Sequence, residues 1–222
     1  MGRAVLDHGM PFFLSYAHTD SNSGGTGGMP SSDQMAERFY YDLRGEVQPL
    51  VSLPSGVEMG FMDVAGLRGG MRWRSELMDA LGTCQVMVAL LSTPYLDRNW
   101  CGMEWHAFSQ RTTEPVPEAT VSPRPHQGCI IPVRWAPVPF PLPPLITKEQ
   151  IFTPPRSPEP DLPGVYEENG VFGLMTGGWD NFYKITVWEL AKLIQKIYYS
   201  QLAVHRSFDH KKLRNIFPGG AP

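Results

Sequence analysis

Residues 85–92 contain the feature that most limits the fold, because every position from Val86 to Leu91 is apolar. A strand with one face in water alternates apolar and polar residues, so an unbroken apolar run indicates a strand that is covered on both faces. Strands of this kind are typical of parallel sheets with helices packed on each side. The run therefore predicts an α/β fold.

Three more segments are typical of strands, and helical patterns separate them along the chain. The further strands are predicted at 11–16, 57–63 and 128–135. A capping box formed by Ser31 and Gln34 precedes apolar residues at every fourth position, which predicts a helix over 32–47. A similar spacing predicts a second helix that ends at Gly82. This alternation favours a parallel sheet with right-handed connections and helices on both faces.

Four residues with chemically useful side chains lie at the carboxyl ends of the predicted strands. They are Tyr16, Asp63, Ser92 and Trp135. In open parallel sheets, ligands bind beyond the carboxyl ends of the strands. We therefore expect a binding site at this edge, with these side chains close to it. The glycine-rich segment 21–30 lacks the residues of a nucleotide-binding loop, so it is interpreted as a flexible connection.

A carboxylate on an otherwise apolar helical face follows the third strand. If a helix begins at Asp97 or Asn99, the rotation of about 100° per residue places Glu104 on a face with apolar neighbours. Those neighbours are Trp100, Cys101, Ala107 and Phe108. Burying an ionised carboxylate is costly, so such a residue usually has a partner or a function.

Composition excludes several classes of partner. The 222 residues fit one domain, and the net charge of −3 with a pI near 6.1 provides no basic field for nucleic acid or an anionic membrane. Three cysteines without paired spacing and the absence of a signal or spanning segment predict a cytoplasmic protein. The six histidines are scattered, so no metal site is expected.

The carboxyl-terminal half of the chain contains a proline-rich segment that is not typical of helices or strands. Between Glu114 and Pro163 lie 15 of the 22 prolines, and 136–164 is interpreted as an irregular excursion that packs as a lid or wall. A short strand is expected at 170–176 and a long helix at 180–203. The chain is divided into a single domain over 1–205 and a basic tail or linker over 206–222.

Four stretches occur in an order that resembles Toll/interleukin-1 receptor (TIR) domains. They are PFFLSYAHTD, FMD with the glycine-bearing loop and tryptophan-containing helix after it, CQVMVALLSTPYLDRNWCGMEW, and CIIPVRW. The resemblance covers roughly residues 11–135, and SxxYxxxxWCxxEW is its most specific pattern. The chain is most similar to bacterial TIR-like proteins, including those encoded beside FxSxx-type peptide clusters. The resemblance implies a flavodoxin-like three-layer sandwich with a parallel central sheet.

The resemblance also implies an activity in signalling or bacterial immunity. Enzymatic TIR domains cleave the nicotinamide glycosidic bond of NAD, to ADP-ribose or a cyclic isomer, and carry a glutamate at the position of Glu104. That carboxylate would stabilise the cationic ribosyl centre left by neutral nicotinamide. NAD is then a substrate, and no cofactor is expected. Trp135 would stack on the nicotinamide, Tyr16 would form another wall, and Ser92 would reach the ligand or cap the next turn.

Self-association is the remaining property implied by the resemblance. TIR active sites are often completed by a loop of a neighbouring copy, which corresponds here to 64–70; Arg68 lies in this loop and Asp63 directly precedes it. Many TIR domains have a basic residue after the first strand, where this chain has Ala17 and His18. The competence of the NAD pocket therefore depends on whether other side chains replace that contact.

Three alternatives stay open. Glu104 can be a structural acid satisfied by Arg98, Arg72 or backbone donors. The chain can be a non-catalytic scaffold that recruits a protein or peptide partner. Finally, related doubly wound folds use a strand-end glutamate as a nucleophile on deoxyribose, so a nucleoside-transferring enzyme is a third interpretation.

Overall fold

The computed structural model describes residues 9–18, 30–63, 71–116, 128–139 and 141–217. Its elements in chain order are β1 (Phe12–Ser15), α1 (Ser32–Val47), β2 (Gly60–Met62), α2 (Met71–Thr83), β3 (Val86–Leu91), α3 (Thr93–Asp97), α4 (Asn99–Ser109), β4 (Thr113–Pro115), β5 (Ile130–Arg134), α5 (Pro144–Thr147), α6 (Leu162–Thr176), α7 (Asp180–Ser200) and β6 (Gln201–Ala203). Arg68, the loop 64–70 and nearly all of the glycine-rich segment 21–30 lie outside the described residues.

The central sheet is parallel and has the order β2-β1-β3-β5, with helices on both faces. All six residues of β3 are buried, as their apolar run predicts. This architecture confirms the predicted α/β, flavodoxin-like fold with a parallel central sheet. The four predicted strands all form, although each is shorter by two to four residues than its predicted range.

Successive residues of β1 face opposite layers of the molecule. Phe12 and Leu14 pack with α1, α6 and α7, whereas Phe13 packs with α2 and α4. A strand alternates its side chains with a period of two residues, so Ser15 is on the same face as Phe13. The carboxyl end of β1 therefore presents Ser15 toward α4 and the next residue, Tyr16, toward α1.

The first helix begins as the capping box predicts. The Ser31 hydroxyl accepts a hydrogen bond from the Gln34 amide at 3.2 Å, and the Gln34 side chain accepts one from the Ser31 amide at 2.8 Å. These two bonds satisfy backbone donors that a helix start leaves unpaired. The prediction of a helix over 32–47 is confirmed.

The proline-rich segment 136–164 packs along the edge of the sheet beside β5. Ile146, in the short helix α5, is buried in the α4-side core, and Phe152 is buried in the α1-side core. The Phe152 amide donates to the carbonyl of Pro132 at 2.8 Å, which satisfies an acceptor on the outer edge of β5. These contacts make the segment a wall at the sheet edge, so the structure favours the wall over the lid.

The strand expected at 170–176 is wrong, because these residues form the second half of α6. Pro163 occupies the first turn of that helix, where a missing N–H costs nothing. Gly170 has φ 64°, and a Cβ there would lie 2.5 Å from the carbonyl oxygen of Trp135. Glycine is thus required at a sharp bend that brings the helix against the end of β5.

The long helix α7 ends at Ser200, three residues before the predicted end. Residues 201–203 form β6 instead, which pairs antiparallel with β4 in a separate two-stranded sheet. The buried Arg111 guanidinium donates to the carbonyls of Ala203 and Cys84 and so links this small sheet to the start of β3. Among the described helices, none is both long and apolar enough to cross a membrane.

The described part of the expected tail, up to Phe217, packs against α4. Phe217 is buried, with its ring centroid 5.7 Å from that of Trp105. Asn215 donates to the side-chain oxygen of Asn99 at 2.8 Å, and a Cβ at Gly102 would overlap Asn215 Oδ1. We call residues 205–217 the C-terminal strap. The prediction of a tail is therefore wrong for these residues.

Candidate functional site

The carboxyl ends of β1, β2, β3 and β5 lie at one edge of the sheet, as parallel strands require. Tyr16, Asp63, Ser92 and Trp135 directly follow these strands. All four are buried, with 4–8% of each residue exposed. The structure thus gathers the predicted strand-end residues at one edge but distributes their side chains between two faces of the sheet.

Glu104 lies on α4 with its carboxyl group directed to the end of β1. It is 2% exposed and lies among apolar residues of the α4-side core, including Cys101 and Trp105. The Ser15 hydroxyl donates to Glu104 Oε2 at 2.5 Å. In the described part of the chain no Lys or Arg forms an ion pair with this carboxyl. Arg98 therefore does not form the ion pair considered from the sequence, the side chain of Arg72 lies outside the described residues, and a serine hydroxyl contacts the carboxyl.

Burial raises the pKa of Glu104 from its ordinary value of 4.5 to about 8. Loss of hydration is the largest cause, because it disfavours the charged form. Hydrogen bonds from Ser15 and Trp100 oppose this rise, whereas the negative charge of Asp63 adds to it. Glu104 is therefore held near the point of ionisation at neutral to mildly alkaline pH, which suits a group that must change or stabilise charge.

The Ser15 hydroxyl is also linked to a second hydroxyl. Tyr95 Oη lies 2.9 Å from Ser15 Oγ, and both residues are almost completely buried. Tyr95 is on α3, whose first turn is capped by Ser92 through a bond from the Tyr95 amide to Ser92 Oγ at 3.2 Å. Ser92 thus has the capping role that the sequence left open beside ligand binding.

Asp63 and Tyr16 form a second polar group at the same edge. Asp63 Oδ2 lies 3.6 Å from His18 Nε2, and His18 Nδ1 lies 3.1 Å from Tyr16 Oη. Burial raises the pKa of Tyr16, and the charges of Asp33, Asp63, Glu37 and Glu104 add to that rise. The tyrosine therefore remains neutral at physiological pH and stands within the electrostatic field of the Glu104 carboxyl.

Trp135 packs in the core on the α1 side of the sheet. Its ring makes edge contacts with Phe39 and Phe172, with centroids 6.0 and 5.7 Å apart, and its Nε1 lies 3.3 Å from Ser32 Oγ. Glu104 belongs to the opposite layer. The structure accordingly gives Trp135 the contacts of a core residue, and a role in stacking on nicotinamide stays a prediction.

Two residues that carry the geometry of the site were missed from the sequence. Ser15 is the polar residue on the α4-side face of β1, and strand alternation from Phe13 could have identified it. Tyr95 can be identified only from the three-dimensional arrangement of α3 and β1, because 80 residues separate it from Ser15 in the sequence. Within the described ranges, no group of three or more His, Cys, Asp or Glu side chains is arranged to hold a metal ion.

Chemically, the site offers the buried carboxyl of Glu104, an oriented hydroxyl chain and the negative charge of Asp63 nearby. Such a carboxyl can stabilise a positive charge that forms beside it, because attraction is stronger where water is excluded. It is less suited to the two-carboxylate chemistry of ordinary glycosidases, in which a separate acid protonates the leaving group.

The comparison with known proteins assigns this arrangement to a family. A sequence model of the TIR domain matches residues 31–153, which is more than half of the 222-residue chain. No curated protein and no solved structure matches the chain at the level of significance applied. The match includes α1, the strands β2, β3 and β5, and the helix that carries Glu104. With the parallel sheet and the order of its elements, it shows that the chain belongs to the TIR domain family.

Proposed function

We propose that the chain is a cytoplasmic NAD hydrolase or cyclase that acts in signalling or defence when it self-associates. The observation that carries this proposal is the Glu104 carboxyl, buried at the carboxyl end of β1 and hydrogen-bonded by Ser15. A carboxyl in this setting, on a TIR domain, is suited to stabilise the ribosyl cation of NAD cleavage.

The reaction needs little acid catalysis at the leaving group. The bond between the nicotinamide nitrogen and ribose C1′ breaks with its electron pair going to nitrogen, so nicotinamide leaves neutral and the positive charge moves to the ribosyl ring. Water then attacks C1′ and releases a proton, giving ADP-ribose, or an adenine nitrogen attacks and closes a cyclic product. The ionised Glu104 would stabilise the ribosyl cation and orient a ribose hydroxyl.

Charge coupling explains how a carboxyl with a pKa of about 8 can serve at neutral pH. The nicotinamide ring of NAD is cationic, and an opposite charge nearby favours the carboxylate. Binding of the substrate would therefore promote ionisation of Glu104. The negative charge of Asp63, which also acts on Tyr16, favours binding of the cationic nicotinamide end of the substrate.

Self-association enters the proposal because Glu104 is 2% exposed in a single chain. A ribose can contact the carboxyl only if neighbouring groups move. We attribute this movement to assembly of TIR domains through 64–70, as the resemblance implies. The specific activity is then expected to rise with protein concentration rather than stay constant.

The test measures nicotinamide release from NAD as protein concentration is raised from the micromolar range upward, with and without a crowding agent. Glu104→Gln is compared with Glu46→Gln, which alters an exposed glutamate on α1. Glu104→Gln should lower the rate by about a hundredfold or more, the usual loss for a group that stabilises a transition-state charge. Glu46→Gln should retain the wild-type rate. Equal rates in the two folded variants would refute a catalytic role for Glu104.

A non-catalytic scaffold is the second candidate, and the burial of Glu104 favours it. A structural acid is also expected to be enclosed and hydrogen-bonded, as this one is by Ser15. The scaffold predicts no nicotinamide release at any concentration, together with unchanged self-association in Glu104→Gln. Sedimentation of the same samples distinguishes it from an enzyme that has simply failed to assemble.

A further inference from the structure

A line of three buried polar groups connects α3, β1 and α4. Tyr95 Oη lies 2.9 Å from Ser15 Oγ, and Ser15 Oγ lies 2.5 Å from Glu104 Oε2. Tyr95, Ser15 and Glu104 are 0%, 1% and 2% exposed. Water therefore does not replace these contacts in the folded chain, and each group depends on the next for its hydrogen bond.

The direction of the line follows from the number of protons. An ionised Glu104 can only accept, so the single Ser15 hydroxyl proton must go to the carboxylate. Ser15 Oγ is then left as an acceptor, and Tyr95 becomes the donor to it. The pKa of Tyr95 is raised by its burial, which keeps its phenol protonated and able to donate. Tyr95 thus donates to Ser15, and Ser15 donates to the ionised carboxylate of Glu104.

Tyr95 is itself held in place from two directions. The backbone amide of Tyr95 donates to Ser92 Oγ, which caps the start of α3. The Tyr95 ring packs against that of Phe217, with centroids 5.8 Å apart. Since Phe217 belongs to the C-terminal strap, α3 is fixed between the sheet and the strap. A phenol that cannot swing away leaves the Ser15 hydroxyl one favourable orientation, toward the carboxylate.

In the described part of the chain, Asp63 is the charged residue that acts on the Glu104 carboxyl, and it disfavours the ionised form, whereas Arg98 lowers the pKa of the Cys101 thiol. Asp63 acts on the carboxyl from the end of β2, and Tyr16 and Cys101 share its electrostatic surroundings. His18 pairs with Asp63, and the described strap residues contribute the apolar Phe217 on this side. Stabilisation of the carboxylate therefore falls largely to its hydrogen bonds from Ser15, at 2.5 Å, and from Trp100.

We propose that Ser15 and Tyr95 are positioning residues for Glu104: Ser15 holds carboxylate oxygen Oε2 in place, and Tyr95 orients Ser15 to do so. This inference rests on the proposed function, because the positioned carboxylate is the one assigned to NAD cleavage. The two residues touch neither NAD nor the reacting bond. Their effect is on the fraction of Glu104 that is ionised and on its orientation.

The first experiment needs no activity. The titration of the Glu104 carboxyl is followed by carbon-13 NMR of glutamate-labelled protein, assigned by its loss in Glu104→Gln. Ser15→Ala should move the midpoint upward by about one pH unit, since a hydrogen bond to a charged group is typically worth that much or more. Tyr95→Phe should move it in the same direction by less, and Ser15→Thr should restore the wild-type midpoint.

Matched controls remove the same groups elsewhere. Tyr40→Phe deletes a buried hydroxyl that donates to the Gly60 carbonyl at 2.8 Å, and Ser200→Ala deletes a buried serine hydroxyl at the end of α7. Neither should move the Glu104 midpoint. If Ser15→Ala does not fold, Tyr95→Phe still gives the test, because it removes only the phenol oxygen and leaves the ring in place.

The second experiment measures nicotinamide release against pH in the same variants. Ser15→Ala should lower kcat about tenfold at neutral pH with a smaller change in KM, and should displace the rise in activity to higher pH by the NMR shift. An unchanged Glu104 midpoint and an unchanged pH profile in Ser15→Ala would overturn the positioning role even if the wild type cleaves NAD. A shifted midpoint in a chain that releases no nicotinamide would support the positioning role and reject the proposed function.

Discussion

Replacing Glu104 by glutamine should change how stability depends on pH, independently of any activity. Burial raises the pKa of Glu104 from 4.5 to about 8, so the folded chain holds a proton that the unfolded chain releases. Below pH 4.5 both states are protonated and the group contributes no pH dependence. Between 4.5 and 8 the unfolded state alone loses its proton, and the free energy of unfolding falls as pH rises.

The size of this effect follows from the same two values. A difference of about 3.5 pH units corresponds to a total loss of about 5 kcal/mol, reached above pH 8. Most of it, about 3 kcal/mol, falls between pH 5 and pH 8. Glutamine resembles the protonated acid in shape and does not ionise, so Glu104→Gln should gain that amount relative to the wild type over this interval.

The assay is urea unfolding followed by tryptophan fluorescence and circular dichroism at several pH values in this range. Constant costs of the substitution, such as an imperfect hydrogen bond to Ser15, cancel in the comparison across pH. Glu46→Gln provides the baseline, because its side chain is exposed on α1. A difference between Glu104→Gln and the wild type that stays constant with pH would refute the buried, proton-holding state of Glu104.

Three further predictions follow from the same contacts. At NAD concentrations below KM, nicotinamide release should rise with pH and reach half of its maximum near pH 8 if the carboxylate is the active form, and a rate independent of pH would contradict this. Trp135→Ala should cost about 3–5 kcal/mol in urea unfolding because its ring fills the α1-side core, and Trp135→Phe should cost far less; equal costs would contradict the core role. Gly102→Ala should displace the C-terminal strap, seen as faster amide exchange at Phe217, because its Cβ would overlap Asn215; unchanged exchange would contradict that packing.

Local rules were sufficient for the elements that determine the architecture. The apolar run of β3 and the capping box of α1 each depend on residues within a few positions, and both predictions are confirmed. Four strands of this kind, separated by helices, leave a parallel sheet as the favoured arrangement. The family resemblance in the strand ends and in the α4 segment agrees with the match over 31–153.

The errors lie where distant residues decide the structure. Residues 170–176 are apolar enough for a strand, but Gly170 bends the chain against Trp135, and the segment continues as a helix. In the C-terminal strap, Leu213 and Phe217 are among the few apolar residues of a mostly polar stretch without periodicity. Their burial against the α4-side core depends on a surface that only the folded chain provides.

The candidate site was predicted in part for a similar reason. Glu104 was selected from the periodicity of one helix, and its burial agrees with that reasoning. The prediction that Tyr16 lines the site depends on its position at the end of the strand and does not take into account which face of the sheet its side chain occupies. Alternation places Ser15, rather than Tyr16, on the side of α4. Its link to Tyr95 joins residues 80 positions apart, which no local pattern encodes.

Glu104 is proposed here as the catalytic carboxylate of an NAD-cleaving TIR domain. The most direct measurement is the rate of nicotinamide release at mildly alkaline pH from concentrated wild-type protein, Glu104→Gln and Glu46→Gln, each shown to be folded. A catalytic role for Glu104 predicts release by the wild type and by Glu46→Gln, with a loss of about a hundredfold or more in Glu104→Gln. Release that is equal in all three proteins, or absent from the assembled wild type, would contradict it.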